Sequence, residues 1–387
     1  MDISKKTFVL AVIGLILLRI LLVVFLFNNV PFTDMQSNWR PNFTASYQPD
    51  EYVFFIFGKS FADFKPAKSI IYMGYAMFLA PFIYFTGATD PLMIAKPIAI
   101  AQGIVLFALA IILIVFLGQY FFKNRKMSLI SAALFVIYPY LMYGLWSLIG
   151  HTNAIPTFHY QMWIFTMSDY LSAFLVILAF WLFIKFIDRL GDGGRSLWWR
   201  AIAAGAVASA AALVRPPNLI ILVLFFVYIM YLRRYKSAIV LGLSGFVAYL
   251  PQLIYNTYFF KRPWIYGNIV LGSGLPQGGS FLGHWNNPAN FWLNFKHFSP
   301  NHYFLLFLIA ASVMLFVFIF GLRYLSKTNN SRAAIFSSWF LFYWLFYGQF
   351  SGSMSQLRYF LPAVPVFIYF FVGSVLYLYG KLRSKDI

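Results

Sequence analysis

The chain has 387 residues, of which 61% are hydrophobic, 22% aromatic and 10% charged, and its formal net charge is +19. So apolar a composition excludes an ordinary soluble domain and is typical of a polytopic membrane protein. The chain contains no cysteine, which excludes disulfides, thiolate metal ligands and thiol catalysis.

Hydrophobic segments recur along the whole chain, and a spanning helix needs about 20 apolar residues. The first segment, 7–27, is not followed by a small-residue cleavage pattern, so we expect a permanent helix rather than a signal peptide. The others are 70–87, 92–117, 128–149, 168–187, 199–214, 217–232, 237–258, 302–322, 333–350 and 359–380. The sequence therefore predicts an all-α, polytopic protein of about 10–11 transmembrane helices, with 1–387 as a single membrane domain.

Lysine and arginine gather in short clusters between these segments rather than on one soluble face, so nucleic acid is not an expected partner. The positive-inside rule predicts that the clusters face the cytoplasm, next to anionic membrane lipids. They are Lys5-Lys6, Lys123–Lys126, Lys185–Arg200, Arg233–Lys236, Arg323–Arg332 and Lys381–Lys385. The polar segments predicted outside the cytoplasm are 28–69, 150–168, Arg215–Asn218, 259–301 and 349–358.

The predicted sides of the loop 28–69 and of the Lys123–Lys126 turn are inconsistent with the number of hydrophobic segments between them. An external 28–69 and a cytoplasmic Lys123 require an odd number of crossings between them, yet two hydrophobic segments lie there. Either 70–87 is re-entrant or interfacial, or the Lys123–Lys126 turn is external. We favour the first alternative, because every later loop then alternates correctly.

The first external loop contains the adjacent acids Asp50 and Glu51, although the chain has only 10 Asp and Glu residues in total. The segment from Asp50 to Phe64 has the pattern of an amphipathic helix at the membrane surface. Asp50 lies near the start of this helix, where the helix dipole tolerates a negative charge. Two interpretations of Asp50 therefore stay open, a helix cap and a functional carboxylate.

A second unusual charge is Arg215, which lies between two apolar runs, where an unpartnered charge is costly. Pro216 and Pro217 break the helix there and free backbone groups. The planar guanidinium suits a phosphate, which it can bind through two parallel hydrogen bonds. The alternatives are a buried ion pair with Asp169 and snorkelling to the interface. Arg358 enters the last segment from the same predicted side.

The histidines indicate no metal site, because the 5 His residues do not show metal-ligand spacing. We therefore expect neither a metal nor a cofactor. His159 and His284 lie in aromatic loops, where a lone histidine is more often structural than catalytic. The loop 259–301 combines His284 with tryptophan and asparagine residues, so we interpret it as a lid over an acceptor or sugar.

Several short motifs follow one another along the chain. They are Asp50-Glu51-Tyr52, Tyr72-Met73-Gly74-Tyr75, Ala212-Leu213-Val214-Arg215-Pro216, Tyr255-Asn256-Thr257-Tyr258 and Arg358-Tyr359-Phe360-Leu361-Pro362. In this order and in this membrane context, almost the whole chain resembles the GT-C glycosyltransferases. The resemblance is to compact bacterial and archaeal members related to protein O-mannosyltransferases, aminoarabinose transferases and rhizobial core transferases. The Tyr-Met-Gly sequence departs from the Pro-Pro or Pro-Gly pair of many relatives.

The resemblance implies a multi-pass enzyme of a prokaryotic plasma membrane, with an extracytoplasmic active site and interfacial helices in the first external loop. Its donor would be a sugar on a polyprenyl phosphate, and its acceptor a hydroxyl of a glycan, lipid or protein. The catalytic carboxylate would be Asp50 or Glu51. For the donor phosphate the resemblance implies Arg215 and Arg358, with Lys65 and Lys68 as additional candidates. Our own candidates for substrate contact are Tyr52, His159, Asp169, His284 and Tyr359.

The residue types fit an inverting glycosyl transfer. One carboxylate takes the proton of the acceptor hydroxyl, and arginines stabilise the charge that grows on the departing lipid phosphate. Two other classes stay open. A lipid-linked glycan ligase would hold essential Arg and His in a large external loop, for which 259–301 is a candidate. A lipid or solute transporter would show related halves or paired interrupted helices.

Overall fold

The computed structural model describes residues 3–29, 50–69, 71–148, 163, 166–190, 195–264, 303–348 and 360–383. In these ranges every regular element is a helix, which confirms the predicted all-α fold. The α-helices are α1 (Lys5–Asn29), α2 (Asp50–Ala62), α3 (Met73–Thr86), α4 (Pro91–Ile100), α5 (Phe107–Phe122), α6 (Arg125–Leu148), α7 (Ser168–Ile187), α8 (Arg195–Val214), α9 (Leu219–Tyr231), α10 (Tyr235–Phe260), α11 (Tyr303–Gly348) and α12 (Val364–Arg383).

Within these described ranges, 6 helical stretches are long and apolar enough to cross a membrane. They are Lys5–Val24, Pro91–Phe122, Ser168–Ile187, Leu197–Val214, Tyr235–Phe260 and Phe360–Leu382. The protein is therefore a multi-pass membrane protein. Pro91–Phe122 combines α4 and α5 through a π-helical turn at Ala101–Leu106.

Contacts between helix ends place the predicted basic clusters together. The guanidinium of Arg125 donates from Nη1 to the carbonyl oxygen of Ile3 at 3.0 Å. The start of α1 and the turn between α5 and α6 therefore lie at the same end of the bundle. The hydroxyl of Tyr120 donates to Oδ1 of Asp188 at 3.3 Å, which brings the end of α7 to that end as well.

The later basic clusters join the same end. Arg200 donates from Nη1 to the carbonyl oxygen of Lys185 at 3.1 Å, so α8 starts where α7 finishes. The rings of Phe183 and Tyr228 lie 5.9 Å apart, which places the end of α9 there. We call this the basic end of the bundle. The opposite end, where α8 finishes, is the Arg215 end.

The last two helices complete the arrangement. The ring of Tyr324 lies 6.2 Å from that of Phe122, next to the basic turn between α5 and α6. The amino groups of Lys327 and Lys381 lie 5.4 and 5.7 Å from the ring of Tyr377. Lys327 and Lys381, from the last two basic clusters, therefore lie at the basic end, as the positive-inside rule predicts.

These contacts decide the inconsistency in the first part of the chain. Because the Lys123–Lys126 turn lies at the Lys5 end, the alternative that places it opposite to Lys5 is wrong. Helix α1 and the Pro91–Phe122 stretch cross the bundle in opposite directions, so α3 begins and ends on one side. With 14 residues, α3 is about 21 Å long and shorter than the roughly 30 Å hydrocarbon core. The contacts and the length of α3 therefore support the favoured alternative, a segment 70–87 that does not cross.

Helix α11 folds back on itself. The rings of Phe318 and Phe340 lie 6.0 Å apart, whereas their separation in sequence corresponds to about 33 Å in a straight helix. Both rings also contact Phe370 of α12, at 5.1 and 5.5 Å. The two predicted spans 302–322 and 333–350 are therefore antiparallel. The chain reverses direction between them, in the segment that carries the Arg323–Arg332 cluster.

Helices α2, α3 and α4 form a layer over the Arg215 end. Together with two residues of α7 and α8, their apolar side chains make a core separate from that of the bundle. It consists of Phe55, Ala62, Tyr75, Leu79, Ile83, Ala88, Ile94 and Ile98, with Leu171 of α7 and Val214 of α8. Gly74 joins the layer to α8, since a Cβ atom there would lie 2.5 Å from the backbone carbonyl carbon of Leu213. Only glycine allows the two backbones to approach so closely.

The sidedness of the two ends is a testable prediction. We expect a Lys65→Cys protein to react with a membrane-impermeant maleimide in intact cells, and a Lys236→Cys protein to react only after permeabilisation. Both side chains are exposed, in the layer and at the basic end respectively, and basic loops stay in the cytoplasm. The cysteine-free parent chain is the control, and labelling of Lys236→Cys alone in intact cells would contradict the orientation.

Candidate functional site

The first element of the site is α2, which begins at Asp50. The helix predicted from Asp50 to Phe64 is confirmed, with its last residue at Ala62. Glu51 is buried, and its Oε1 accepts the backbone N–H of Thr166 at 3.0 Å. This bond fastens the start of α2 to the segment that leads into α7. The side chain of Asp50 lies outside the described residues, so its two interpretations stay predictions.

The second element is an ion pair between Arg215 and Asp169. Nη2 of Arg215 lies 2.5 Å from Oδ1 of Asp169, and the side chains are 11% and 2% exposed. Arg215 has an extended backbone between α8 and the 3-10 turn Pro216–Asn218. Asp169 lies in the first turn of α7, where the helix dipole stabilises a carboxylate. The ion-pair interpretation of Arg215 is therefore confirmed.

A buried amide holds the turn that follows Arg215. Nδ2 of Asn218 donates to Oγ of Ser172 at 2.8 Å and to the carbonyl oxygen of Ala211 at 3.0 Å. These bonds link the 3-10 turn to both α7 and α8. The backbone on each side of Arg215 is therefore fixed relative to the helix that carries Asp169.

The third element is Tyr75 of α3, which is fully buried. Its hydroxyl lies 3.3 Å from Oε1 and 3.1 Å from Nε2 of Gln102, in the π-helical turn. The carboxylates of Glu51 and Asp169 are both close enough for their negative charges to act on this hydroxyl. The layer thus brings Glu51 and Tyr75 to the Asp169–Arg215 pair. Gln102 was missed in the sequence, where the only signal is one amide in an apolar run.

Helix α10 holds the loop that leads from α2 to α3. The hydroxyl of Tyr255 donates to the carbonyl oxygen of Ala67 at 2.8 Å and accepts the N–H of Ser69 at 2.9 Å. Oε1 of Gln252 accepts the N–H of Met73 at 3.3 Å. The Tyr255 motif therefore has a structural use here, which the sequence did not indicate.

The remaining predicted residues fall into two groups. Lys65 and Lys68 are exposed in the loop between α2 and α3, and the amino group of Lys68 lies 5.3 Å from the ring of Phe260 at the end of α10. Tyr52 is half-buried in α2. Four predicted site residues lie outside the described residues, namely Arg358, His159, His284 and Tyr359. Residues 30–49 of the first loop and 265–301 of the loop 259–301 lie outside them too.

In comparisons with known proteins, no family model, curated protein or solved structure matches the chain. The fold and its contacts define a class, an all-helical, multi-pass membrane protein. Its buried charged site lies at the Arg215 end of the bundle, opposite to the basic clusters and beneath a layer of shorter helices.

Proposed function

We propose that the protein is an integral membrane glycosyltransferase of the GT-C kind. It moves a sugar from a polyprenyl-phosphate donor to a hydroxyl of a glycan, lipid or protein acceptor on the extracytoplasmic side. The observation that carries this proposal is the buried pair of Arg215 with Asp169, next to the carboxylate of Glu51 at one end of a membrane bundle.

The position of Arg215 suits a lipid-linked phosphate. A polyprenyl phosphate keeps its chain in the bilayer and its phosphate near the interface, at the depth where a spanning bundle ends. A guanidinium has five N–H donors in a planar fork, and the contact with Asp169 is made through Nη2. The carboxylate can therefore orient the fork while other donors of the same group meet a phosphate oxygen.

The carboxylates suit the other half of the reaction. As a base takes the proton of the acceptor hydroxyl, the new C–O bond forms at the anomeric carbon and the bond to the phosphate oxygen breaks on the opposite face. The products are the inverted glycoside and a polyprenyl phosphate anion, whose charge Arg215 stabilises. Glu51 is already engaged by the Thr166 N–H, which suits an orienting role, and we assign the base to Asp50.

The proposal is tested with protein purified into lipid nanodiscs and a panel of radiolabelled polyprenyl-phosphate sugars. We expect one of these donors to be consumed, with release of polyprenyl phosphate and inversion at the anomeric carbon. The matched control is the same panel with Asp50→Asn protein. Consumption of a pyrophosphate-linked glycan instead would favour a ligase, and transbilayer movement of label without bond cleavage would favour a transporter.

A further inference from the structure

Helix α1 contains a buried charge that the proposed reaction does not use. Arg19 is fully buried and lies about 21 Å along the helix axis from Lys5, well inside the first membrane span. A charge at such a depth is costly, and it is retained where it has partners and a function. The partners of Arg19 therefore indicate what it does.

The guanidinium of Arg19 is held by a backbone carbonyl and by an aromatic ring. Nε donates to the carbonyl oxygen of Gly103 at 2.9 Å, and the guanidinium carbon lies 3.9 Å from the centre of the Phe107 ring. A desolvated cation–π contact of this kind is strongly favourable. Three tyrosines also lie within electrostatic range of Arg19, namely Tyr138, Tyr140 and Tyr170.

Both direct contacts fall on the π-helical turn or on the residue after it. The turn spans Ala101–Leu106, and the N–H of Phe107 donates to the carbonyl oxygen of Gln102, five residues earlier. A π turn inserts one residue into a helix and occurs frequently at functional sites. The insertion changes the direction of the side chains before it by about 100° relative to those after it. Arg19 thus contacts the segment that sets the direction of Gln102.

Gln102 connects this segment to the candidate site. Its amide lies against the hydroxyl of Tyr75, which lies within electrostatic range of Glu51 and Asp169. A continuous series of contacts therefore connects Arg19 of the first span to the candidate site. It passes through the π-helical turn, whose geometry differs from that of a regular α-helix.

We propose that Arg19 is a positioning residue. By donating to Gly103 and covering Phe107 it stabilises the π turn, which places Gln102 against Tyr75 and so fixes Tyr75 beside the carboxylates of the site. The coupling between Arg19 and the π turn is independent of the proposed function. The effect on turnover rests on that function.

The coupling is tested by a double-mutant cycle on thermal unfolding in detergent. Deleting Val105, which is exposed on the π turn, removes the inserted residue and leaves Arg19 without the turn that accepts its N–H. We expect the deletion and Arg19→Met each to lower the unfolding temperature, and the combination to lower it less than the sum, because it removes the unpartnered charge. Additive changes would overturn the proposal. The cycle is repeated with Arg19→Gln, which also removes the charge, so that it can be completed even where Arg19→Met does not fold.

The positioning role is tested on turnover of the donor found with the wild-type protein. We expect Arg19→Lys to lower kcat about ten- to a hundredfold, the effect of a small misplacement in a site, with an unchanged KM for the donor. Arg19→Met should be slower still, and Leu21→Met, on the exposed face of α1, is the control with wild-type kcat. An unchanged kcat in Arg19→Lys would overturn the positioning role. A wild-type protein that consumes no donor would overturn the proposed function, while the unfolding cycle would still decide the coupling.

Discussion

Replacing Asp50 with asparagine is expected to lower the rate of sugar transfer by about a hundred- to ten-thousandfold, the contribution of a positioned general base. The amide keeps the size of the side chain but cannot take the proton of the acceptor hydroxyl. Because Asp50 is only the first residue of α2, the unfolding temperature should stay close to that of the wild type. The measurement is release of polyprenyl phosphate by the purified variant in nanodiscs.

The matched comparison is Glu51→Gln. The carboxylate of Glu51 accepts the N–H of Thr166, and an amide oxygen can accept the same bond. We therefore expect a smaller loss of activity from Glu51→Gln than from Asp50→Asn. The reverse order would exchange the roles of the two acids, and near wild-type activity in both variants would remove this pair from the mechanism.

Arg215→Ala is expected to have two large effects. It leaves Asp169, which is 2% exposed, as a buried carboxylate without its partner, and breaking such a pair destabilises a protein by about 3–5 kcal/mol. It also removes the charge-assisted contact to the donor phosphate, which contributes about 1.5–3 kcal/mol, or roughly a ten- to hundredfold loss of affinity. Arg215→Lys should restore only part of the affinity, because lysine has no planar fork.

A second variant separates the two effects of Arg215. In the protein with both Arg215→Ala and Asp169→Ala the unpaired charge is gone, so thermal stability should recover towards the wild type. The affinity for polyprenyl phosphate should not recover. Phosphate binding is measured on both variants beside Asp50→Asn, and wild-type affinity in the double variant would return Arg215 to a purely structural role.

Local signals in the sequence predict much of this fold. The apolar run 168–187 coincides with α7, and the amphipathic pattern that begins at Asp50 predicts the start of α2. Both signals can be found in a single sequence because hydropathy and helix-dipole effects depend only on neighbouring residues. The basic clusters also predict which helix ends lie together, because the lysines and arginines of each loop favour the cytoplasmic side independently of the other loops. The reversal of the chain between Phe318 and Phe340 agrees with the two spans predicted on either side of the Arg323–Arg332 cluster.

The contacts that build the site depend on residues far apart in the chain. Glu51 and Thr166 are separated by 115 positions, and Arg19 and Gly103 by 84. A lone sequence shows the charge of Arg19 but not the carbonyl that receives it. A π turn has no composition of its own, so nothing distinguishes Gln102 from a glutamine in a regular helix. For Arg215, the ion pair with Asp169 was one of the alternatives drawn from the sequence, and the structure shows that pair.

The short helix α3 has a consequence for how the protein is made. It is apolar enough to enter the membrane during synthesis, and a chain in which it crossed would carry every later helix upside down. In that form all the basic clusters from Lys123 onwards would have to pass through the bilayer, which positive charge opposes. Lysines and arginines that are synthesised long after α3 therefore help to decide whether that helix crosses the membrane.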